Sequence, residues 1–280
     1  MPFVRRPDAR IWWDQSGTGD PILLIMGHAY GADMWHRTAS ELAVSYRVIR
    51  FDNRGAGRSS DPPGPYSVQL MADDALAVLD AAGAAATHVY GVSLGGAIAL
   101  QLALDHPGRV RSLILGCTAA SAEGASRGAL LTRVRSLLPA AALNRMAWKL
   151  LYGPGTPTDR RAEDQQIVRR TRSSGRGRRG QLTGAAGFDV TGRLPEIRIP
   201  ALVMHGAQDR IVPAANAHRL ADGIAGARLV IFPDAGHAYI TDVTRAANQE
   251  ALRFLASIPG PADGLGTGPR PAADTAETSR

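Results

Sequence analysis

The chain has 280 residues, 45% hydrophobic and 20% charged, with 32 Lys+Arg against 25 Asp+Glu and a formal net charge of +7. That length and apolar fraction suit one large α/β domain or two small ones around a buried core, and exclude disorder over the whole chain. The single cysteine, Cys117, excludes an intrachain disulfide framework and argues against a cysteine-based zinc site, while the basic balance raises binding to an anionic polymer or surface.

Residues 1–14 carry Arg5, Arg6 and Arg10 without a following apolar stretch of signal-peptide length, and no run of eighteen apolar residues occurs, so a cytoplasmic protein without a membrane partner is expected. Short β-branched runs predict strands over Ile11–Gln15, Pro21–Gly27 and Tyr46–Asp52, the first two joined by Ser16-Gly17-Thr18-Gly19. Val68, Met71, Ala75 and Leu79 recur at helical spacing within Ser67–Ala82. A strand over His88–Tyr90 is followed by a helix over Leu94–Asp105 that stops before Pro107. Val110–Leu115, Ala201–His205 and Arg228–Phe232 complete the strand set. Strand then helix, repeated, predicts an α/β fold with a parallel sheet covered on both faces and function at the carboxyl ends of its strands.

From Ala119 to Phe188 the alternation stops. Helical patterns over Leu130–Leu138, Ala140–Leu151 and Arg161–Arg172, with the Arg-rich run at 169–179, read as a helical insertion between two strands. The expected organisation is a core of 1–118 and 189–258, an insertion of 119–188, and a flexible tail of 259–280, whose Pro, Gly, Ala, Thr and Asp cannot bury enough surface to offset ordering.

The strongest chemical signal is Gly91-Val92-Ser93-Leu94-Gly95, where a strand ends and a helix begins. This is the context of a nucleophile elbow, in which small neighbours let a strained turn lift the serine hydroxyl clear of the sheet; the competing reading is a glycine-rich turn with an idle serine. A serine nucleophile needs a base, and the base an orienting acid. Asp209 follows one strand and His237 the next, in the order Ser, Asp, His and on the same sheet edge. Singly, Asp209 reads as a turn cap and His237 as a loop histidine; three residue types at the right strand ends favour a triad. The oxyanion of a tetrahedral intermediate would be met by the backbone N–H groups of Leu94 and of His28, in the loop Gly27-His28-Ala29-Tyr30-Gly31. Tyr30 and Trp35 read as pocket walls or as packing. In Asp52-Asn53-Arg54-Gly55-Ala56-Gly57-Arg58-Ser59, the glycines and charges suit a tied loop rather than a phosphate cradle, because neither G-K-[ST] nor G-x-G-x-x-G is present.

With Gly27-His28, the Asp52–Ser59 loop, Gly91–Gly95, Asp209 and Gly236-His237 in this order, the chain resembles the α/β hydrolases over about residues 10–257. It is most similar to their lid-bearing esterase, enol-lactonase and cofactor-free haloperoxidase branch. The resemblance implies a mostly parallel sheet of eight strands with a helical lid inserted after the sixth. It implies a serine hydrolase of a carboxylic ester or lactone, working through an acyl-enzyme without cofactor or metal. C–C bond hydrolysis, thioester hydrolysis, perhydrolysis, non-hydrolytic cyclisation and a purely binding role are the alternatives; an elbow aspartate, as in haloalkane dehalogenation, is absent. Met26 stands where the family's usual pattern has a histidine before the glycine.

Leu137, Leu138, Leu143, Met146, Trp148, Leu150, Leu151 and Tyr152 give the lid an apolar face, read either as packing or as closing over a small apolar or polycyclic substrate. Ile211, Val212 and Tyr239 flank the acid and base as pocket candidates. Residues 119–188 hold 13 basic and 4 acidic groups, a local +9, and the remainder 19 and 21, or −2, so the basicity belongs to the lid. No aromatic lies between Asp159 and Gly187 to stack bases, so no nucleic-acid partner is expected. A solvated, mobile lid segment is the favoured reading of the Arg run, and steering of an acidic substrate or carrier protein the second.

Overall fold

The structure is a computed structural model and describes residues 2–123, 150–171 and 173–260. Eight strands form one sheet in the order β1-β2-β4-β3-β5-β6-β7-β8: β1 Phe3–Arg5, β2 Arg10–Ser16, β3 Pro21–Ile25, β4 Arg47–Phe51, β5 Thr87–Val92, β6 Val110–Gly116, β7 Ala201–Gly206 and β8 Arg228–Phe232. β1 and β2, and β2 and β4, pair antiparallel; every other neighbour pair is parallel. Residues 16–19 join β2 to β3 along the chain, but β4 lies between those strands in the sheet. The three-residue β1 carries too little pattern to be read from sequence.

Central strands are apolar on both faces because helices cover both. Leu23, Ile49, Val89, Leu113 and Val203 face one core, closed by α2 (Val68–Ala81), α3 (Leu94–Asp105) and α6 (Ala215–Gly223). Ile22, Leu24, Tyr90, Ile114 and Leu202 face the other, closed by α1 (His36–Leu42) and α8 (Thr244–Ala256). Ser67 caps α2, its hydroxyl accepting from Leu70 N at 3.0 Å, an arrangement whose loss typically costs about 1 kcal/mol. The sequence reading leaves α6, α8 and the one-turn α7 (Tyr239–Asp242) unassigned.

After the sixth strand the chain builds the lid, with α4 (Thr158–Arg170) and α5 (Gly175–Ala185) preceding β7. Asp159 in the first turn of α4 and Arg169 and Arg170 in its last complement the helix dipole. α5 is the larger departure from expectation, since residues 175–179 of the run read as mobile form, with the six residues after them, eleven residues of helix. Four glycines within it disfavour a helix by roughly 1 kcal/mol each. Close packing explains their presence: a Cβ at Gly177 would strike the Gly55 backbone, and Cβ atoms at Gly180 and Gly184 would strike Tyr66. Arg169, Arg170, Arg176 and Arg179 are exposed, as a solvated run requires, but Arg176 lies 3.3 Å from Asp61 and Arg178 donates to the Ser173 carbonyl at 2.8 Å. No helix among the described residues is long and apolar enough to cross a membrane. The helices expected over 130–138 and 140–151, apart from Leu150 and Leu151, and the tail beyond Gly260 lie outside the described residues.

Candidate active site

Ser93 stands between β5 and α3 with φ 56° and ψ −122°, the strained turn its glycines foretold. A Cβ at Gly91 would sit on the Gly95 carbonyl, and one at Gly95 on the Ile25 carbonyl, so no larger residue fits either position without moving backbone. The elbow is pinned from β6: Ser93 N donates to Gly116 O at 2.8 Å and Thr118 Oγ1 to Ser93 O at 2.7 Å.

Asp209, in the turn after β7, has no side-chain exposure. Its Oδ1 accepts from the N–H groups of Ile211 and Val212, both at 2.8 Å, which orients the carboxylate. Its Oδ2 lies 2.7 Å from His237 Nδ1, and His237 Nε2 lies 2.9 Å from Ser93 Oγ. Burial opposes charge on Asp209, but His237 and then His205 outweigh it and hold the carboxyl well below the usual carboxylate range. With the carboxylate ionised, the Nδ1–H tautomer of His237 is favoured, leaving Nε2 free to accept the serine proton.

The loop bearing His237 is fixed by a group the sequence did not single out. Asp242 Oδ2 accepts from Gly236 N at 2.7 Å and from Gly153 N at 2.8 Å, and Thr156 Oγ1 donates to Oδ1 at 2.5 Å. Ala238 N donates to Leu151 O at 2.7 Å. One carboxylate thus ties the histidine loop to the chain leaving the first part of the lid.

His205 and Cys117 lie behind Asp209. His205 Nε2 donates to Val212 O at 3.0 Å and lies 3.2 Å from Asp209 Oδ2. Donor atoms of Cys117, His205 and Asp209 fall within 4.8 Å of one another. Burial first, and the Asp209 charge next, push the Cys117 thiol well up, so it stays protonated and is no rival nucleophile. Since His205 Nε2 and both Asp209 oxygens are engaged in hydrogen bonds, these groups read as support for the acid rather than as a metal centre.

The loop after β3 approaches the elbow: a Cβ on Gly27 would stand 3.1 Å from Ser93 Cβ. Of the expected oxyanion donors, Leu94 follows Ser93 directly and His28 follows Gly27, the residue that approaches the elbow. The His28 ring turns toward the lid, its Nε2 2.9 Å from Arg178 O. The neighbouring loop is tied as its charges suggested, though by separate networks. Asp52 accepts from Ala32 N at 2.6 Å and Arg58 N at 2.7 Å, and the fully buried Arg54 reaches Asp74 at 2.6 Å and Asp8 at 2.9 Å.

Of the pocket candidates, Tyr30 and Ile211 are half-buried near the site. Val212 is buried and serves Asp209 through its N–H. Trp35 and Tyr239 are corrected from pocket to core: both are fully buried, Trp35 packing its ring 4.8 Å from Tyr90, and Tyr239 stacking on Phe232 with its hydroxyl 2.7 Å from that of Tyr90. Large aromatic rings just under the strand ends fill the core before they can line a cleft. Met146 and Trp148 lie outside the described residues.

Residues 20–241 match the family described as alpha/beta hydrolase fold. The chain belongs to the α/β-hydrolase family. Among its relatives in that family is a putative carbamate hydrolase RutD of Azorhizobium caulinodans, 34% identical over 92% of this chain and 99% of that protein. A putative non-heme bromoperoxidase BpoC of Mycobacterium tuberculosis is 32% identical over 88% of this chain and 97% of its own length. The crystal structure of an enol-lactonase from Burkholderia xenovorans superposes with a TM-score of 0.79 at 25% identity, covering 91% of this chain and all of that one. These relatives span the branch that the elbow, acid and histidine suggested from sequence.

Proposed function

We propose that this α/β hydrolase is a serine hydrolase that cleaves a carboxylic ester or lactone through Ser93, His237 and Asp209. The reading rests on one observation above the rest, the continuous relay from Asp209 Oδ2 to His237 Nδ1 and from His237 Nε2 to Ser93 Oγ at 2.7 and 2.9 Å. Ser93 Oγ attacks the carbonyl carbon as His237 Nε2 takes its proton, and the oxyanion forms against the N–H groups of Leu94 and His28. His237 then returns the proton to the departing alkoxide, leaving an acyl-Ser93 ester; in a lactone both fragments remain one molecule. Water, deprotonated by the same imidazole, attacks the acyl carbon, and Ser93 recovers its proton as the carboxylic acid leaves. Asp209 stays ionised throughout and steadies the imidazolium.

A second reading is favoured by the 34% identity to a protein named as a carbamate hydrolase: the same steps acting on a carbamate, with a carbamoyl-serine in place of the acyl-serine. The lid over residues 119–188 is taken to choose the substrate, and the exposed Arg169, Arg170, Arg176 and Arg179 to favour an acidic substrate or carrier. The test is a panel of p-nitrophenyl butyrate, a phenyl carbamate and a γ- or δ-lactone, with Ser93→Ala as the control. Turnover of at least one class, lost by a factor of ~10⁴ or more in the variant, is expected. Turnover unaffected by Ser93→Ala would contradict the assignment.

A further inference from the structure

The amide of Gln181, on the lid helix α5, is completely buried and bridges two core loops. Its Oε1 accepts from Ala29 N at 2.7 Å, and its Nε2 donates to Arg54 O at 2.8 Å. Both partners are backbone groups of fixed polarity, so the amide has one orientation that satisfies both. Ala29 is held from its other side as well, its carbonyl accepting from Ser173 Oγ at 2.7 Å. Ala29 has φ +67°, a left-handed backbone that a residue with a Cβ keeps only under external restraint. The glycine face that brings Gly177 against Gly55, and Gly180 and Gly184 against Tyr66, is what lets α5 approach closely enough for a glutamine to reach both loops.

We propose that Gln181 is a positioning residue for the oxyanion donor, its amide fixing the His28–Ala29 segment beside Ser93 so that the seating of the lid helix sets the aim of the His28 N–H. This rests on the serine-hydrolase reading. The peptide bearing the His28 N–H adjoins the clamped one, and among the described residues its carbonyl, on Gly27, accepts one long backbone bond, 3.4 Å from Tyr30 N. A rotation released at Ala29 is therefore passed to the donor one peptide away. Oxyanion donors act on charge that develops in the transition state, so their misalignment lowers kcat and leaves ground-state binding largely intact.

The experiment measures p-nitrophenyl butyrate hydrolysis and inhibition by an alkyl trifluoromethyl ketone, which forms a tetrahedral adduct on the serine, in wild type, Gln181→Met and Gln181→Glu. Gln181→Met removes both hydrogen bonds at similar volume; kcat is expected to fall roughly 10–100-fold, KM to stay within about twofold, and the ketone's Ki to rise by the same factor as kcat falls. Gln181→Glu keeps an acceptor for Ala29 N–H but loses the donor to Arg54 O, so it is expected to recover most of kcat and Ki while losing thermal stability as the Met variant does. Should Gln181→Met be recovered unfolded, Ser173→Ala carries the same test, with a several-fold fall in kcat at unchanged KM expected. A folded Gln181→Met, or in its place Ser173→Ala, with wild-type kcat and Ki overturns the proposal, as do equal losses of kcat in the Met and Glu variants, which would mark Gln181 as packing alone. Wild-type protein that neither turns over any member of the substrate panel nor forms a Ser93 adduct defeats the hydrolase reading and this inference together; turnover with unmoved variants defeats only the inference.

Discussion

Asp209 shows how much of one residue's behaviour is set by what reaches it. Four N–H groups converge on its two oxygens, two from the backbone and two from imidazoles. In Asp209→Asn the amide can keep Oδ1 for Ile211 and Val212, but its NH₂ then faces two ring nitrogens that act as donors. His237 is driven to the tautomer protonated at Nε2, where it can no longer accept from Ser93. A fall in kcat of about 10⁴ with little change in KM is expected for ester hydrolysis, and a loss below tenfold would show that Asp209 does not set the tautomer. Ser93, Asp209 and His237 were legible in the sequence because each follows a strand and their order is constrained by the architecture. Asp242, Ser173 and Gln181 were not, because their partners are mostly backbone groups that only the folded chain brings near. A glutamine among glycines and arginines carries no chemical signal until α5 is laid against Gly55.

At the scale of elements, strands and their order along the chain followed from β-branched runs, while the insertion of β4 between β2 and β3 did not. Pairing partners are set by tertiary packing: both β3 and the Arg-containing β4 carry a run of apolar residues, and nothing local says which lies beside β2. Helix α5 was hidden by its own glycines, whose propensity cost is offset by contacts invisible in one dimension. Helix α4 is anchored by the fully buried Asp164, which accepts from Arg37 at 2.7 Å, Tyr152 Oη at 2.9 Å and Thr241 Oγ1 at 2.8 Å. These contacts join the lid to α1 and to the helix that follows His237. Asp164→Ala would leave two hydroxyls and a half-buried guanidinium short of a partner, although Glu163 still holds Arg37. A loss of roughly 2 kcal/mol is expected, read as a Tm lower by about 4–8 °C, with faster proteolysis within α4. Unchanged Tm and proteolysis would show that α4 is anchored elsewhere.

Over the whole molecule, the positive charge that first suggested an anionic polymer is concentrated in the lid, while the hydrolase body is close to neutral. Part of that charge complements the end of α4, Arg176 pairs with Asp61, and Arg178 donates to the Ser173 carbonyl. The lid also holds the loops around Ser93 from two sides, through Gln181 and Ser173 at the oxyanion loop and through Gly153 and Thr156 at the histidine loop. One inserted segment thus contacts both loops beside Ser93, while the sheet supplies the strand ends on which Ser93, Asp209 and His237 stand. Activation of Ser93 as a nucleophile is tested by treating the intact protein with a fluorophosphonate and measuring its mass before and after proteolysis. A single adduct near unit stoichiometry, mapped to Ser93 and absent from Ser93→Ala, is expected; an unlabelled protein, or an adduct on another residue with Ser93 intact, would contradict it.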